Sequence, residues 1–179
     1  MKKKILAFGG SNSSKSINKI LASYVAGQIQ NADIHIADLN DYALPLYSMD
    51  LESDQGIPDH AHAFAKLIEN TDGIVLSLAE HNGLPTTVFK NLIDWLSRID
   101  QKIWKNKPMI LLATSPGARG GASVLGIMKN LLPFAGAHLV ADFSLPSFYD
   151  HFSEEGIKEE SLRNDLSKKI KAFELELNK

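Results

Sequence analysis

A doubly wound α/β fold, with five parallel strands and helices on both faces of the sheet, is predicted by three observations. Five short apolar runs alternate along the 179-residue chain with five segments of helical periodicity. The runs are apolar throughout, as strands are when helices cover both faces of their sheet. The sequence contains neither an internal repeat nor a linker long enough to divide it, so residues 1–179 are expected to form one domain.

The first half of the chain opens with a strand. Residues 5–8 are apolar and are closed by Gly9 and Gly10, which is typical of a buried strand. Ile17 and later apolar residues at offsets of 3, 4, 7, 8 and 12 share one helix face, which predicts a helix over residues 17–29. The next predicted elements are a strand at 34–39, a loop at 41–58 and a helix at 63–68.

The second half gives the strongest strand prediction, at residues 74–78, because an apolar run lies there between Gly73 and the polar Glu80. Two further apolar runs predict strands, and three segments of helical spacing predict helices. In chain order these are a helix at 88–96, a strand at 109–113, a helix at 125–132, a strand at 139–141 and a helix at 162–177. With right-handed crossovers, five such units favour the flavodoxin-like strand order 2-1-3-4-5 over a longer dinucleotide-binding sheet.

Charge and composition exclude several classes of function. Nineteen Lys and Arg against 21 Asp and Glu leave a net charge of −2, so no basic excess indicates a nucleic acid or a membrane surface as partner. The absence of cysteine excludes disulfides and thiolate chemistry, and the six histidines lack the spacing of metal ligands. No segment approaches the roughly 20 apolar residues of a membrane span. The apolar run after the N-terminal lysines is too short for a signal peptide, so we expect a cytoplasmic protein.

Three loops follow strands that are neighbours in this order, and ligands of open α/β sheets bind at that edge. The first loop, residues 9–18, is rich in Gly and Ser and precedes a helix, which favours a phosphate site. The alternative is a turn in which Ser16 only caps the helix. The loop nearly matches a P-loop, but Ser14 replaces the second glycine, and the dinucleotide fingerprint G-x-G-x-x-G is absent.

The second loop, residues 80–87, contains an amide that suits the polar edge of a planar heterocycle. That amide belongs to Asn82, and the dipeptide Asn82–Gly83 equally indicates a turn. In the helix that follows, Asp94 lies four residues from both Lys90 and Arg98, which favours ion pairs along one face.

The third loop, residues 115–122, has three glycines within five residues. Such a loop leaves backbone N–H groups open to a ligand and leaves Arg119 mobile at the mouth of the site. A flexible connector with a solvated arginine is the alternative interpretation.

The motifs in these loops resemble those of the NADPH-dependent FMN reductase family, which includes small quinone and azo reductases. Residues 10–18 match the family motif G-S-x-R-x-x-S-x-N, except that Ser13 replaces the arginine. Residues 79–95 resemble P-E-Y-N-G followed by K-N-x-I-D-W, with Ala79 and His81 replacing the proline and the tyrosine. Residues 114–121 match T-S-x-G-x-x-G-G. The resemblance extends over most of the chain.

The resemblance implies a bound FMN, NADPH or NADH as co-substrate, and a small electron acceptor such as a quinone, an azo compound, a flavin or a metal ion. It places the FMN phosphate on the first loop, where Lys15 supplies the charge of the missing arginine, and the flavin ring between the second and third loops. No catalytic side chain and no resident metal are expected, because the flavin carries the chemistry. The implied cofactor-binding residues are Ser11, Ser13, Lys15, Ser16, Ile17, Asn18, Glu80, His81, Asn82, Gly83, Ser115, Gly117, Arg119, Gly120 and Gly121.

The resemblance also implies a homodimer or a dimer of dimers, with the third predicted helix near the interface. The sequence itself adds apolar groups that need not all fit one core and are candidates for that interface, namely Leu92, Trp95, Leu96 and Ile99, or Ile103–Trp104. Two other functions stay open at this point. One is a flavodoxin-like electron carrier that does not itself oxidise NAD(P)H, although a net charge of −2 gives little of the acidity such carriers use. The other is a P-loop nucleotide phosphotransferase.

Overall fold

The structure, a computed structural model, describes all residues from 1 to 179. In chain order the strands are β1 (Lys3–Gly10), β2 (Ala32–Ala37), β3 (Gly73–Leu78), β4 (Glu80–His81), β5 (Leu84–Pro85), β6 (Pro108–Thr114), β7 (His138–Leu145), β8 (Phe152–Ser153) and β9 (Gly156–Ile157). The α-helices are α1 (Ile17–Ala26), α2 (Met49–Gln55), α3 (Asp59–Glu69), α4 (Thr87–Ile99), α5 (Ala122–Leu131), α6 (Phe148–His151) and α7 (Glu160–Leu177), and short 3-10 helices cover Leu39–Tyr42 and Leu132–Ala135.

The five long strands form one sheet in the order β2-β1-β3-β6-β7, and every pairing is parallel. This confirms the predicted flavodoxin-like order. The other four strands form two antiparallel ribbons, β4 with β5 and β8 with β9. Because β1, β3 and β6 are neighbours, the loops that follow them meet at one edge, as predicted.

Several local predictions differ from the structure for identifiable reasons. Leu39, predicted in the second strand, starts a 3-10 helix because the Asp38 side chain accepts the Asn40 N–H at 2.9 Å and turns the chain. The predicted loop 41–58 contains α2, which the Ser48 side chain caps at Leu51 N. The first helix ends at Ala26 rather than at Ile29.

The core is divided by the sheet into two layers that follow the alternation of side chains along each strand. On β1, Leu6 and Phe8 point into the layer covered by α3, α4 and α5, whereas Ile5 and Ala7 face α1 and α7. Of the six apolar residues suggested for a subunit interface, five are buried in the core of this single chain and are at most 5% exposed. For these five the prediction is wrong. These five are Leu92, Trp95, Leu96, Ile103 and Trp104.

None of the helices is long and apolar enough to span a bilayer.

Candidate active site

A polar cleft lies at the carboxyl edge of the sheet and has a volume of about 230 Å³. Its walls come from the loops after β1, β3 and β6 and from α6. The lining residues are Ser11, Ser13, Lys15, Ser16, Ile17, Asn18, Ala79, Glu80, His81, Thr114, Ser115, Pro116 and Tyr149. The predicted convergence of the three loops is therefore present.

A larger cavity of about 300 Å³ lies elsewhere, between α4 and α5, and seven of its nine lining residues are hydrophobic. We place the candidate active site in the smaller cleft, because a phosphate needs hydrogen-bond donors. The smaller cleft has them and the apolar groove offers only the Lys90 side chain.

The serines of the first loop fold it into a set of hydrogen-bond donors. The hydroxyl oxygens of Ser11, Ser13 and Ser16 accept the N–H groups of Ser13, Lys15 and Lys19 at 3.1, 3.3 and 3.1 Å. None of the three hydroxyls donates its own hydrogen to an acceptor in the chain, so each can donate to a ligand. The cap predicted for Ser16 is confirmed, and capping leaves its hydrogen free.

Two backbone donors add to this set. Ile17 and Asn18 begin the ten-residue helix α1, so their N–H groups have no intrahelical acceptor, and no other partner in the chain takes them. Lys15 is exposed and forms no ion pair, whereas the Lys19 ammonium donates to Asp38 Oδ2 at 2.5 Å. That hydrogen bond, with a smaller contribution from the Asn40 N–H, lowers the pKa of the Asp38 carboxyl.

The donor set fits a phosphate group. Three free hydroxyls, two free N–H groups and one unpaired ammonium surround the first loop, and the positive end of the α1 dipole adds to them. Glu80 is the only acid among the lining residues, and its carboxylate Oε2 already accepts the Val124 N–H at 3.0 Å. Glu80 therefore contributes the only negative charge of the lining, and part of its acceptor capacity is used by Val124.

Asn18 lies in the cleft wall and also fastens it. Its Oδ1 accepts the Thr114 N–H at 3.0 Å and the Ser77 hydroxyl at 2.7 Å, and its Nδ2 donates to the Thr114 carbonyl at 3.1 Å. All three residues are buried. The side chain therefore joins α1 to the ends of β3 and β6, and one Nδ2 hydrogen remains for a ligand.

The second loop is a tight hairpin. Asn82 and Gly83 have φ angles of 53° and 81°, the left-handed pair that a type I′ turn requires, which confirms the predicted turn. His81 in the cleft pairs with Leu84 across the ribbon. Glu80 reaches out of the hairpin to the first turn of α5, whose N-cap residue, Gly121, offers no side-chain cap.

The third loop depends on two buried glycines that pack close to the sheet. Gly120 and Gly121 have φ angles of 56° and 76°, and a Cβ on Gly120 would lie 2.5 Å from Ser144 Oγ. Arg119 is exposed, and its Nη2 donates to Ser123 Oγ at 2.6 Å, so the guanidinium lies over the first turn of α5 rather than over the cleft.

The structure brings nine of the predicted site residues into the lining and leaves six outside it. The nine are Ser11, Ser13, Lys15, Ser16, Ile17, Asn18, Glu80, His81 and Ser115, and the six are Asn82, Gly83, Gly117, Arg119, Gly120 and Gly121. Sequence reasoning did not include Ala79, Thr114, Pro116 and Tyr149. Pro116 lies within the third loop, and Ala79 and Thr114 begin the second and third motifs, so the sequence already held them next to predicted site residues. Tyr149 belongs to no motif.

Comparisons with known proteins give a consistent result. The family model described as NADPH-dependent FMN reductase matches residues 3–151. A 2-hydroxy-1,4-benzoquinone reductase from a Burkholderia species is 37% identical over 132 residues, which are 73% of this chain and 70% of that protein. A quinone reductase from Escherichia coli K12 is 35% identical over 107 residues, which are 60% of this chain and about half (54%) of that protein.

Among solved structures, FerB, a flavoenzyme NAD(P)H:(acceptor) oxidoreductase from Paracoccus denitrificans, has a similar fold. Its TM-score is 0.76 at 26% identity, and the match covers 98% of this chain and 97% of that one. The electron carrier and the phosphotransferase are not favoured, because the family model and these relatives are reductases. The chain belongs to the NADPH-dependent FMN reductase family and is thus an oxidoreductase with FMN as cofactor and NAD(P)H as co-substrate.

Proposed function

We propose that the protein holds FMN in the polar cleft and uses it to pass reducing equivalents from NAD(P)H to a quinone. The observation that carries this assignment is the first loop, where three serine hydroxyls keep a hydrogen free beside two unbonded N–H groups. Quinone as the acceptor is supported by the names of two relatives, a 2-hydroxy-1,4-benzoquinone reductase and a quinone reductase.

The first loop would hold the phosphate. Ser11, Ser13 and Ser16 donate their hydroxyl hydrogens, and the start of α1 adds the N–H groups of Ile17 and Asn18. Lys15 brings the positive charge. Hydrogen bonds from charged or dipolar donors to a phosphate are the strong ones, so this end of the cleft supplies most of the cofactor's anchoring.

The flavin ring would lie between the loops after β3 and β6, with Ala79, Glu80 and His81 on one side and Ser115 and Pro116 on the other. Bound FMN supplies the hydride and electron-transfer chemistry. The chain supplies position and electrostatics. The Glu80 carboxylate accepts the Val124 N–H and so links the hairpin to α5.

Arg119 would bind the phosphates of the nicotinamide nucleotide. Its guanidinium is exposed and has one hydrogen bond, to Ser123, and small or glycine residues flank it at Ala118 and Gly120. If the Arg119 guanidinium left the neutral Ser123 hydroxyl and bound a phosphate, it would gain a charge-assisted hydrogen bond. This gain favours a rotation of the side chain toward the incoming nucleotide.

The protein would form a homodimer through the apolar groove between α4 and α5. Four side chains at or beside it are at least 36% exposed, namely Leu84, Ile127, Leu131 and Phe134. Phe134, which is 79% exposed, provides a projecting group next to a recess, and a two-fold axis lets such a surface pair with itself. A cytoplasmic location suits a cysteine-free enzyme that consumes NAD(P)H.

The activity is tested with the purified protein in three steps. FMN is titrated and followed by its visible spectrum, NADPH is added without oxygen, and a benzoquinone is then supplied. Bleaching of the flavin by NADPH and recovery with the quinone are expected. A protein that binds no FMN, or whose bound FMN NADPH does not reduce, would contradict the proposal. Light scattering of wild type and Leu131→Asp tests the dimer, and equal masses would contradict it.

A further inference from the structure

Tyr149 is an aromatic side chain on the rim of the cleft with little structural role of its own. It is 66% exposed, and its hydroxyl bonds to nothing in the chain. Its one aromatic partner is the neighbouring Phe148, whose ring it meets edge-on at 5.5 Å. Phe148 is buried instead and stacks on Phe152 at 4.8 Å. The four-residue helix α6 is therefore anchored through Phe148, and Tyr149 is left facing the cleft.

The backbone before Tyr149 is fixed against the third loop. The N–H of Ser147 donates to the Gly117 carbonyl at 3.0 Å, and the N–H of Phe148 donates to the Ser115 carbonyl at 3.0 Å. Ser147 itself has φ 42° and ψ 60°, a left-handed conformation that costs free energy in a residue with a side chain. Such strain persists where the surroundings fix it, and it is concentrated at ligand sites.

Exposing the ring of Tyr149 costs hydrophobic free energy in the free protein, and a strained backbone holds it there. Both costs are offset if the ring covers a ligand. Aromatic residues gain from face or edge contacts with a planar heterocycle, and Tyr149 and His81 are the only aromatic residues in the lining. We propose that Tyr149 is a further flavin-contacting residue, whose ring packs on bound FMN at the side of the cleft formed by Ser115 and Pro116.

This inference rests on the proposed function, so the test starts from FMN binding by the wild-type protein. Three variants are compared: Tyr149→Ala removes the ring, Tyr149→Phe keeps it without the hydroxyl, and Asp150→Ala changes the next residue of α6, which is exposed and outside the lining. The readouts are the Kd for FMN and the fluorescence of bound flavin, which an electron-rich phenol in contact quenches by electron transfer.

Loss of the ring in Tyr149→Ala is expected to raise the Kd about twofold to tenfold, the range of an aromatic pair, and to raise the emission of bound flavin. Tyr149→Phe keeps the affinity and raises the emission, because phenylalanine is a poor electron donor. Asp150→Ala changes neither. Wild-type emission in both Tyr149 variants, or a Kd that rises equally in Asp150→Ala, overturns the proposal. A wild-type protein that does not bind FMN contradicts the proposed function instead.

Discussion

The side-chain amide of Asn18 pairs with both backbone groups of Thr114, accepting its N–H at 3.0 Å and donating to its carbonyl at 3.1 Å. The two residues are 96 positions apart, and the pairing resembles the exchange between two strands of a ladder. Thr114 passes the connection on, because its hydroxyl donates to the Leu145 carbonyl at 2.7 Å. Asn18 thus connects the carboxyl ends of β3 and β6, and Thr114 extends the connection to β7.

Replacing Asn18 with alanine is therefore expected to destabilise the fold in addition to any effect on FMN. The change leaves the Thr114 N–H and the Ser77 hydroxyl buried without their partner, and a buried unsatisfied group costs about 1–3 kcal/mol. Urea unfolding of the protein without cofactor measures this cost. A free energy of unfolding within about 0.5 kcal/mol of wild type, the range of neutral surface changes, would show that the Asn18 side chain does not stabilise the fold.

Ser13→Ala separates phosphate binding from stability. Ser13 is exposed, and losing one hydrogen bond to a charged group costs about 1.5–3 kcal/mol, so the Kd for FMN is expected to rise about tenfold to a hundredfold. Riboflavin, which lacks the phosphate, provides the control. Its affinity should be the same for wild type and variant, and an equal loss for both ligands would remove Ser13 from the phosphate site.

Arg119→Ala is expected to raise the KM for NADPH about tenfold or more, the value of a charge-assisted hydrogen bond. FMN content and the reaction with quinone should not change, because the guanidinium lies outside the cleft lining. Arg119→Lys keeps the charge and loses the paired donors, so an intermediate KM is expected. An equal rise for NADH identifies the shared pyrophosphate as the contact, and an unchanged KM for both nucleotides excludes a recruiting role.

Acid should weaken the contact between Glu52 in α2 and Arg98 in α4. Arg98, for which the sequence favours Asp94, donates instead from Nε to the two carboxylate oxygens of Glu52 at 3.0 and 2.9 Å, and the Tyr47 hydroxyl donates to Oε2 at 3.0 Å. These bonds, that of Arg98 first, lower the pKa of Glu52 below its ordinary 4.5. Its contribution to stability is thus present above pH 4.5 and is lost as the pH falls through the lowered pKa.

The measurement for this prediction is the urea midpoint of wild type and Arg98→Met as a function of pH. The wild type should be the more stable near neutrality, and the gap should close below pH 4.5, the ordinary pKa of Glu52. Lys2→Met serves as control, since Lys2 forms an exposed ion pair with Asp33 at 3.7 Å, away from α2 and from the apolar groove. A gap that stays constant with falling pH would mean that the Glu52–Arg98 pair does not stabilise the fold.

The sequence predicts those features that depend on interactions between residues close together in the chain. The five sheet strands and the first loop were predictable because apolar runs, Gly9–Gly10 and the capping Ser16 act within a few residues. Helix α2 was missed because the Ser48 cap defines it and no apolar periodicity does. The structural role of Asn18 in joining α1 to β6 could not be predicted, since its partner Thr114 is distant in sequence. Tyr149 was missed because its position depends on Ser147 and on bonds to the third loop.

Helix α5 is linked to the polar cleft through Glu80 and lines the apolar groove directly. Its first turn receives the Glu80 carboxylate at Val124, and its later residues Ile127 and Leu131 line the apolar groove. A ligand that shifts the Glu80 hairpin would therefore also shift α5, and α5 contributes to the proposed dimer surface. Thermodynamic reciprocity then requires that if cofactor loading tightens assembly, assembly tightens cofactor loading by the same factor. Subunit concentration would thereby become a control on flavin occupancy.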